Sequence, residues 1–209
     1  MKTLLLTPAE AYAAAEIIKN GGVVAAPTET VYGLLADATR EEAVLAVFRA
    51  KGRDEGKPLS VFVPDMAGLD ELCDPVPEGA RRLAERYFPG PITLVLNKKP
   101  GLPEKLTAGG DTLGVRCPDN KVCLELLRLT GRPLTGTSAN LSGRKPAMTG
   151  REAFEIFDGR VDAVIDGGAV TGGVPSTVVR VYENGISVLR QGAVSEGDII
   201  RAAYGEADR

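Results

Sequence analysis

The sequence predicts an α/β protein, a twisted mixed sheet with flanking helices. Three observations carry this. Helical and strand patterns interleave along the 209 residues without the strict alternation of a doubly wound parallel sheet. Hydrophobic residues make up 44% of the chain and charged residues 25%, as in globular domains. Trp is absent, so the core must be built from Val, Leu, Ile and Ala. No repeat, low-complexity tract or long linker interrupts the pattern, and one domain over residues 1–209 is the economical organisation.

The elements follow in order. Thr7, Pro8 and Glu10 form a capping-box helix start, with the proline at the first helical position. Ala11, Ala14, Ala15 and Ile18 recur at helical spacing, and Gly21-Gly22 ends the run. Residues 23–26 are a short apolar strand. Thr39 and Glu42 repeat the capping box before a helix that Gly52 closes. A strand is expected over 59–63. A short helix capped by Asp65 runs to 72, and an amphipathic helix spans 78–88. Strands follow over 92–96 and 113–116, then a helix over 121–129 and a strand over 133–137. Residues 150–157 are helical and 163–166 extended. Residues 177–182 and 186–189 pair as a hairpin across Glu183-Asn184-Gly185, with Asn-Gly the turn signal. Ser195 and Asp198 start a last helix.

Composition excludes several functions. There is no histidine, which removes His-based triads, His–Cys dyads and His metal sites. Cys73, Cys117 and Cys123 are odd in number and irregularly spaced, so a reducing cytoplasm is expected rather than a disulfide framework. The apolar start at Leu4 is cut short by Thr7-Pro8, which argues against a signal peptide, and no run is long enough to span a membrane. A net charge of −3 argues against tracking many phosphates of a nucleic acid, although a local basic cavity is compatible with it.

Four polar segments break the core-building pattern at strand or helix ends, where sites are usually built. The first, PTETVYGL over 27–34, brings Thr28, Glu29 and Thr30 after a buried strand; a hydroxyl-stabilised turn is the plain alternative. The second puts Lys51, Arg53 and Lys57 in seven residues. They can complement a helix dipole or hold a polyphosphate, through an Arg fork and mobile Lys charges; no Walker A loop is present. The third, TGTSANLSG over 135–143, presents Gly136, Ser138 and Asn140 and can ring an anion with donors. It has no G-x-S-x-G elbow, and without histidine Ser138 is not an activated nucleophile. The fourth is scattered: Thr112, Arg116, Ser176 and Arg190. An Arg at a strand end needs an anionic partner, either a protein carboxylate or a ligand. Lys51, Arg53, Lys57, Arg116 and Arg190 are expected to converge on one concavity.

Together PTETVYGL, K-x-R with KPL, FPGPITLVL, LGVRCP, TSANLSG, PSTVV and LRQG occur in one order that resembles the YrdC/Sua5-type threonylcarbamoyl-AMP synthases, over residues 10–200. The resemblance implies a sheet curled around a large basic cavity. It implies joining of L-threonine, bicarbonate or CO₂, and ATP with Mg²⁺ into threonylcarbamoyl-AMP and pyrophosphate, for tRNA modification with partner proteins. Direct tRNA binding is not required for that step. It further implies that Lys51 and Arg53 are catalytic. Thr28, Thr30, Phe62, Arg116, Gly136 and Ser176 are on the threonine side. Arg53, Lys57, Thr112, Ser138, Asn140 and Arg190 are on the nucleotide side, and no residue is assigned as a metal ligand. Phe62 replaces a His of longer relatives, and Asp54-Glu55 departs from their usual residues. A YciO-like branch and a non-catalytic RNA-binding module are the alternatives.

Overall fold

The structure, a computed structural model, describes residues 2–205. The chain opens with β1 (Leu4–Leu6), α1 (Ala11–Lys19), β2 (Val24–Pro27), β3 (Tyr32–Leu35) and α2 (Glu41–Lys51). It continues through β4 (Ser60–Phe62), α3 (Ala67–Leu72), α4 (Glu78–Tyr87), β5 (Ile92–Asn97), β6 (Thr112–Arg116) and α5 (Lys121–Thr130). The last third holds β7 (Leu134–Ser138), α6 (Gly150–Phe157), β8 (Ala163–Ile165), β9 (Thr177–Tyr182), β10 (Gly185–Arg190) and α7 (Glu196–Tyr204).

The strands join in the order β1-β8-β2-β3-β7-β4-β6-β5-β9-β10. The sheet is mixed: β1–β8, β8–β2, β4–β6 and β5–β9 are parallel and the other pairs antiparallel. β7 is the seam. Its first residues pair with β4 and its last two, Thr137 and Ser138, with β3.

Side chains alternate between the two faces of a strand. On one face α1 and α5 bury Ala14, Ile18, Leu126 and Leu127 against Val24, Ala26 and Ile165. The other face packs the larger core, with Val47, Phe48, Leu83 and Phe157 against Tyr32, Val61, Leu94 and Val115. The first face continues past β7 without a roof from α1 or α5. There its positions carry Ser60, Phe62, Thr93, Arg116, Gly136 and Val178 instead of an apolar layer, and they line a cavity.

Local chemistry explains several boundaries. The backbone N–H and hydroxyl of Thr7 both donate to the Glu10 carboxylate at 2.8 Å, the capping box the sequence predicts. The second one does not form: α2 begins at Glu41 after Arg40, because Thr39 instead donates through its backbone and hydroxyl to the buried Asp37. Asp37 also pairs with Arg132. Asn120 caps α5, accepting from Val122 and Cys123 N–H. Two strands go beyond the sequence reading. β1 pairs with β8, although a three-residue run carries no period. β3 begins inside the polar PTETVYGL segment, because Gly33 and its neighbours pair on both sides.

Candidate functional site

The cavity measures about 370 Å³, within the usual range for small-molecule sites. Its lining includes four arginines, Arg53, Arg116, Arg144 and Arg190, and no Asp, Glu or Lys. In a chain of net charge −3 this is a concentrated positive field, and low-dielectric walls focus it.

Arg116 ends β6 and is 5% exposed. Its Nε donates to the Gly90 carbonyl at 3.2 Å and its Nη2 to Thr30 Oγ1 at 3.1 Å. That carbonyl lies in the FPGP turn, where a Cβ at Gly90 would lie 2.5 Å from the Tyr87 oxygen, so only glycine fits. Glu29 Oε1 stands 2.6 Å from Arg116 Nη2. Phe62 closes the corner, its ring centroid 5.6 Å from the guanidinium carbon. Gly136 is what lets Phe62 lie flat, since a Cβ there would sit 2.4 Å from the ring. Thr28 and Thr30 are 2% exposed and their hydroxyls are 3.0 Å apart.

Ser176 and Thr93 form a second hydroxyl pair at 2.9 Å. Arg190 Nη2 donates to the Ser176 carbonyl at 2.8 Å and its hydroxyl at 3.2 Å. Partial burial pushes the Arg190 guanidinium pKa down, and the charge of Arg116 adds to this. Arg53 donates only to carbonyls, to Lys57 at 3.3 Å and Pro58 at 3.0 Å; burial lowers its pKa, against the opposing pull of Asp54. Arg144 is exposed, and among the described residues only its backbone is engaged, by Asn140 Nδ2 and the Leu141 carbonyl. Three guanidinium groups therefore face the cavity without an ion-pair partner among the described residues. Such a wall can hold a polyanion through charge-assisted bonds.

The expected cation convergence holds for Arg53, Arg116 and Arg190 and fails for two lysines. Lys51 is 2% exposed and lies behind the loop after β7, not in the cavity lining. Its Nζ donates to the carbonyl of Ser138, and to the carbonyl and Oδ1 of Asn140 at 3.0 Å each. Burial, with repulsion from Arg53, pushes its pKa down to about 7. Lys57 is exposed on the far side of the turn, where its carbonyl accepts from Arg53. Thr112 also lies outside the lining. It pairs with Asn97 at the opposite end of β6 from Arg116, about 13 Å away at strand rise. Thr28, Thr30, Phe62, Gly136, Ser138, Asn140 and Ser176 line the cavity as expected.

Thr93 and Arg144 are polar lining residues outside the set the sequence assigns. Thr93 is a polar residue inside the apolar strand ITLVLN, a signal that period-2 reading could have caught. Arg144 carries no signal beyond following TSANLSG. The cysteines offer no nucleophile, since burial pushes Cys73 and Cys117 up to about 12 and raises Cys123 as well. Among the described residues no group of three or more His, Cys, Asp or Glu can hold a metal, and no described helix is long and apolar enough to cross a membrane.

Fold and site define an α/β protein with an arginine-walled cavity. Comparison then fixes the family. Residues 16–192 match the Sua5–YciO–YrdC family model, described as "Telomere recombination", and the chain belongs to this family. It is 42% identical over 181 residues to the threonylcarbamoyl-AMP synthase of Pyrococcus abyssi, covering 87% of this chain and 53% of that protein. The Bacillus subtilis threonylcarbamoyl-AMP synthase is 40% identical, covering 89% and 54%. The chain thus spans about half the length of these curated relatives. The crystal structure of P. abyssi Sua5 complexed with L-threonine superposes with a TM-score of 0.92 at 38% identity, covering 99% of this chain and 62% of that one.

Proposed function

We propose that the chain catalyses formation of threonylcarbamoyl-AMP from L-threonine, bicarbonate or CO₂, and ATP. The carrying observation is that one cavity joins a wall of three arginines free of carboxylates to a corner of Arg116 and threonine hydroxyls. The first suits a triphosphate, the second a small polar amino acid. Similarity to synthases in two organisms supports the same assignment.

The chemistry asks little of protein nucleophiles. The threonine amine forms an N–C bond to CO₂ and loses a proton, giving an N-carboxylate. A carboxylate oxygen then bonds to the α-phosphorus as the bond to the β-phosphate oxygen breaks, and pyrophosphate leaves. Positioning and neutralisation of charge supply most of the acceleration in such transfers. Arg53, Arg144 and Arg190 are read as phosphate contacts, with Ser138 lining the loop edge beside them. Arg116 and the hydroxyls of Thr30 and Ser176 hold the amino acid, and Phe62 forms the wall beside its methyl group. Lys51, assigned to catalysis by resemblance, is reassigned to holding the loop. Lys57 and Thr112 leave the set. The lining offers hydroxyls and no carboxylate, which does not suit a protein-held Mg²⁺; magnesium is read as arriving on the triphosphate, part of the substrate. The product would pass to tRNA-modifying partner proteins, and three unpaired buried thiols favour the cytoplasm.

Pyrophosphate release measured with each substrate omitted in turn tests this reading. Release should require ATP, L-threonine and bicarbonate together. Valine should fail, because a site that hydrogen-bonds a hydroxyl is left with unpaired groups by an analogue lacking it. Steady release without threonine, or equal rates with valine, overturns the assignment. The RNA-binding alternative gains nothing from a cavity whose cations line a space of small-molecule size.

A further inference from the structure

Glu29 has no role in the reading so far, yet among the described residues it is the one carboxylate ion-paired with an arginine of the cavity. Both of its oxygens are enclosed, and neither receives a directed hydrogen bond among the described residues. Its contact with Arg116 Nη2, at 2.6 Å, is an ion pair without hydrogen-bond geometry. An ionised carboxylate has about four acceptor positions, and buried polar groups left without partners call for an explanation.

A guanidinium only donates, so Thr30 Oγ1 accepts from Arg116 Nη2. Thr28 Oγ1 donates to the Val31 carbonyl at 2.6 Å and accepts from the backbone N–H groups of Thr30 and Val31 at 3.2 Å each, which fills its hydrogen-bonding capacity. Thr28 therefore has nothing left for a ligand. Thr30 Oγ1 has accepted one bond and keeps a lone pair for a donor in the cavity.

We propose that Glu29 is a positioning residue that, through Arg116 and Thr30, makes this corner a receptor for an ammonium group. It thereby selects an amino acid's zwitterionic head over a bare carboxylate. The proposal rests on the amino-acid reading above and deepens it. Glu29 cancels the charge of Arg116, so an anion alone meets a neutral pair. A zwitterion meets both halves: its carboxylate takes the unused N–H groups of Arg116, and its ammonium donates to Thr30 Oγ1 with the Glu29 charge behind it. The three other arginines lack such a partner and keep a full positive field for the nucleotide.

The test is calorimetric titration of the full chain with L-threonine and with 2,3-dihydroxybutanoate, which replaces the ammonium by a hydroxyl. The unaltered protein should bind the deaminated analogue at least about tenfold more weakly, the scale of a lost charge-assisted bond. Glu29→Gln keeps the shape and an amide oxygen for Arg116 while removing the charge. It should weaken threonine by about tenfold or more and raise the KM for threonine, with the KM for ATP and the affinity for a non-hydrolysable ATP analogue within about twofold of wild type. A merely structural role would move both ligands together. Equal binding of threonine and its deaminated analogue, or unchanged threonine affinity in Glu29→Gln, overturns the proposal. If Glu29→Gln does not fold, the analogue comparison on the unaltered protein decides alone. Absence of any threonine binding by the unaltered protein overturns the functional reading and this proposal with it; threonine binding without discrimination for the ammonium overturns this proposal only.

Discussion

Arg116 and Arg53 line the same cavity, but their surroundings differ. Arg116 is 5% exposed and faces a carboxylate at 2.6 Å. Arg53 is half-buried and touches only the carbonyls of Lys57 and Pro58. Removing one partner from a buried ion pair is strongly destabilising, because the other charge is left without compensation. Arg116 is thus held in place by the fold. Arg53, Arg144 and Arg190 carry charge that the fold does not satisfy, and an incoming anion supplies what is missing. The comparison separates residues that shape a site from residues that wait for its ligand.

The sharpest way to break this comparison is Arg53→Ala. Loss of a charge-assisted contact to phosphate is worth roughly 1.5–3 kcal/mol. ATP affinity or turnover should fall about ten- to a hundred-fold, with thermal stability unchanged because the side chain supports nothing but its own turn. Unaltered ATP kinetics would make Arg53 a helix-end cation.

Lys51→Met asks whether the one buried cation outside the cavity behaves as a structural group. The Lys51 amine has its pKa pushed down to about 7 in the fold, against about 10.4 in an unfolded chain. Between these values the unfolded state binds more protons, so the contribution of this residue to stability grows as pH rises through that window. The slope is at most about 1.4 kcal/mol per pH unit. Urea midpoints compared from pH 7 to 10 should show an upward component in the wild type that Lys51→Met lacks.

Arg144→Ala probes the exposed end of the wall. At an exposed site the contact should be worth about 1 kcal/mol, a several-fold loss in ATP affinity, with threonine affinity unchanged. Equal loss for both ligands would contradict the division of the cavity. The mildest test is salt. Raising ionic strength from about 0.05 to about 0.5 M shortens the screening length from above to below about 10 Å, and it should weaken nucleotide binding several-fold and threonine binding hardly at all.

Much of this was legible in the sequence, for physical reasons. Loops rich in Gly, Ser and Thr after buried strands announce themselves because they break an apolar pattern, as at Thr28, Thr30 and Ser138, whereas Ser176 stands in a scattered set just before β9. What one dimension hides is direction. Lys51 and Arg53 are two residues apart at a helix end, and nothing in their spacing says that one turns into the protein and the other into the cavity. Thr112 is assigned by resemblance alone, which says nothing of its position along β6, at the far end from Arg116 and outside the cavity lining. Glu29 was visible beside two threonines, but its role depends on Arg116, 87 positions away (116 − 29), and no local pattern encodes that meeting.

The ammonium of Lys51 ties the end of α2 to the loop after β7, and the backbone closes the same junction where Ser142 N–H donates to the Lys51 carbonyl at 2.9 Å. Ser138 Oγ then donates to Asn140 Oδ1 at 2.6 Å, the same oxygen that accepts from Lys51. One amide oxygen is shared by two donors from separate parts of the chain. Changes at positions 51, 138 and 140 should consequently fail to add, since the first substitution already releases what the second would remove. In evolutionary terms the three positions form one character, and a chain that changes one of them has relaxed the constraint on the other two.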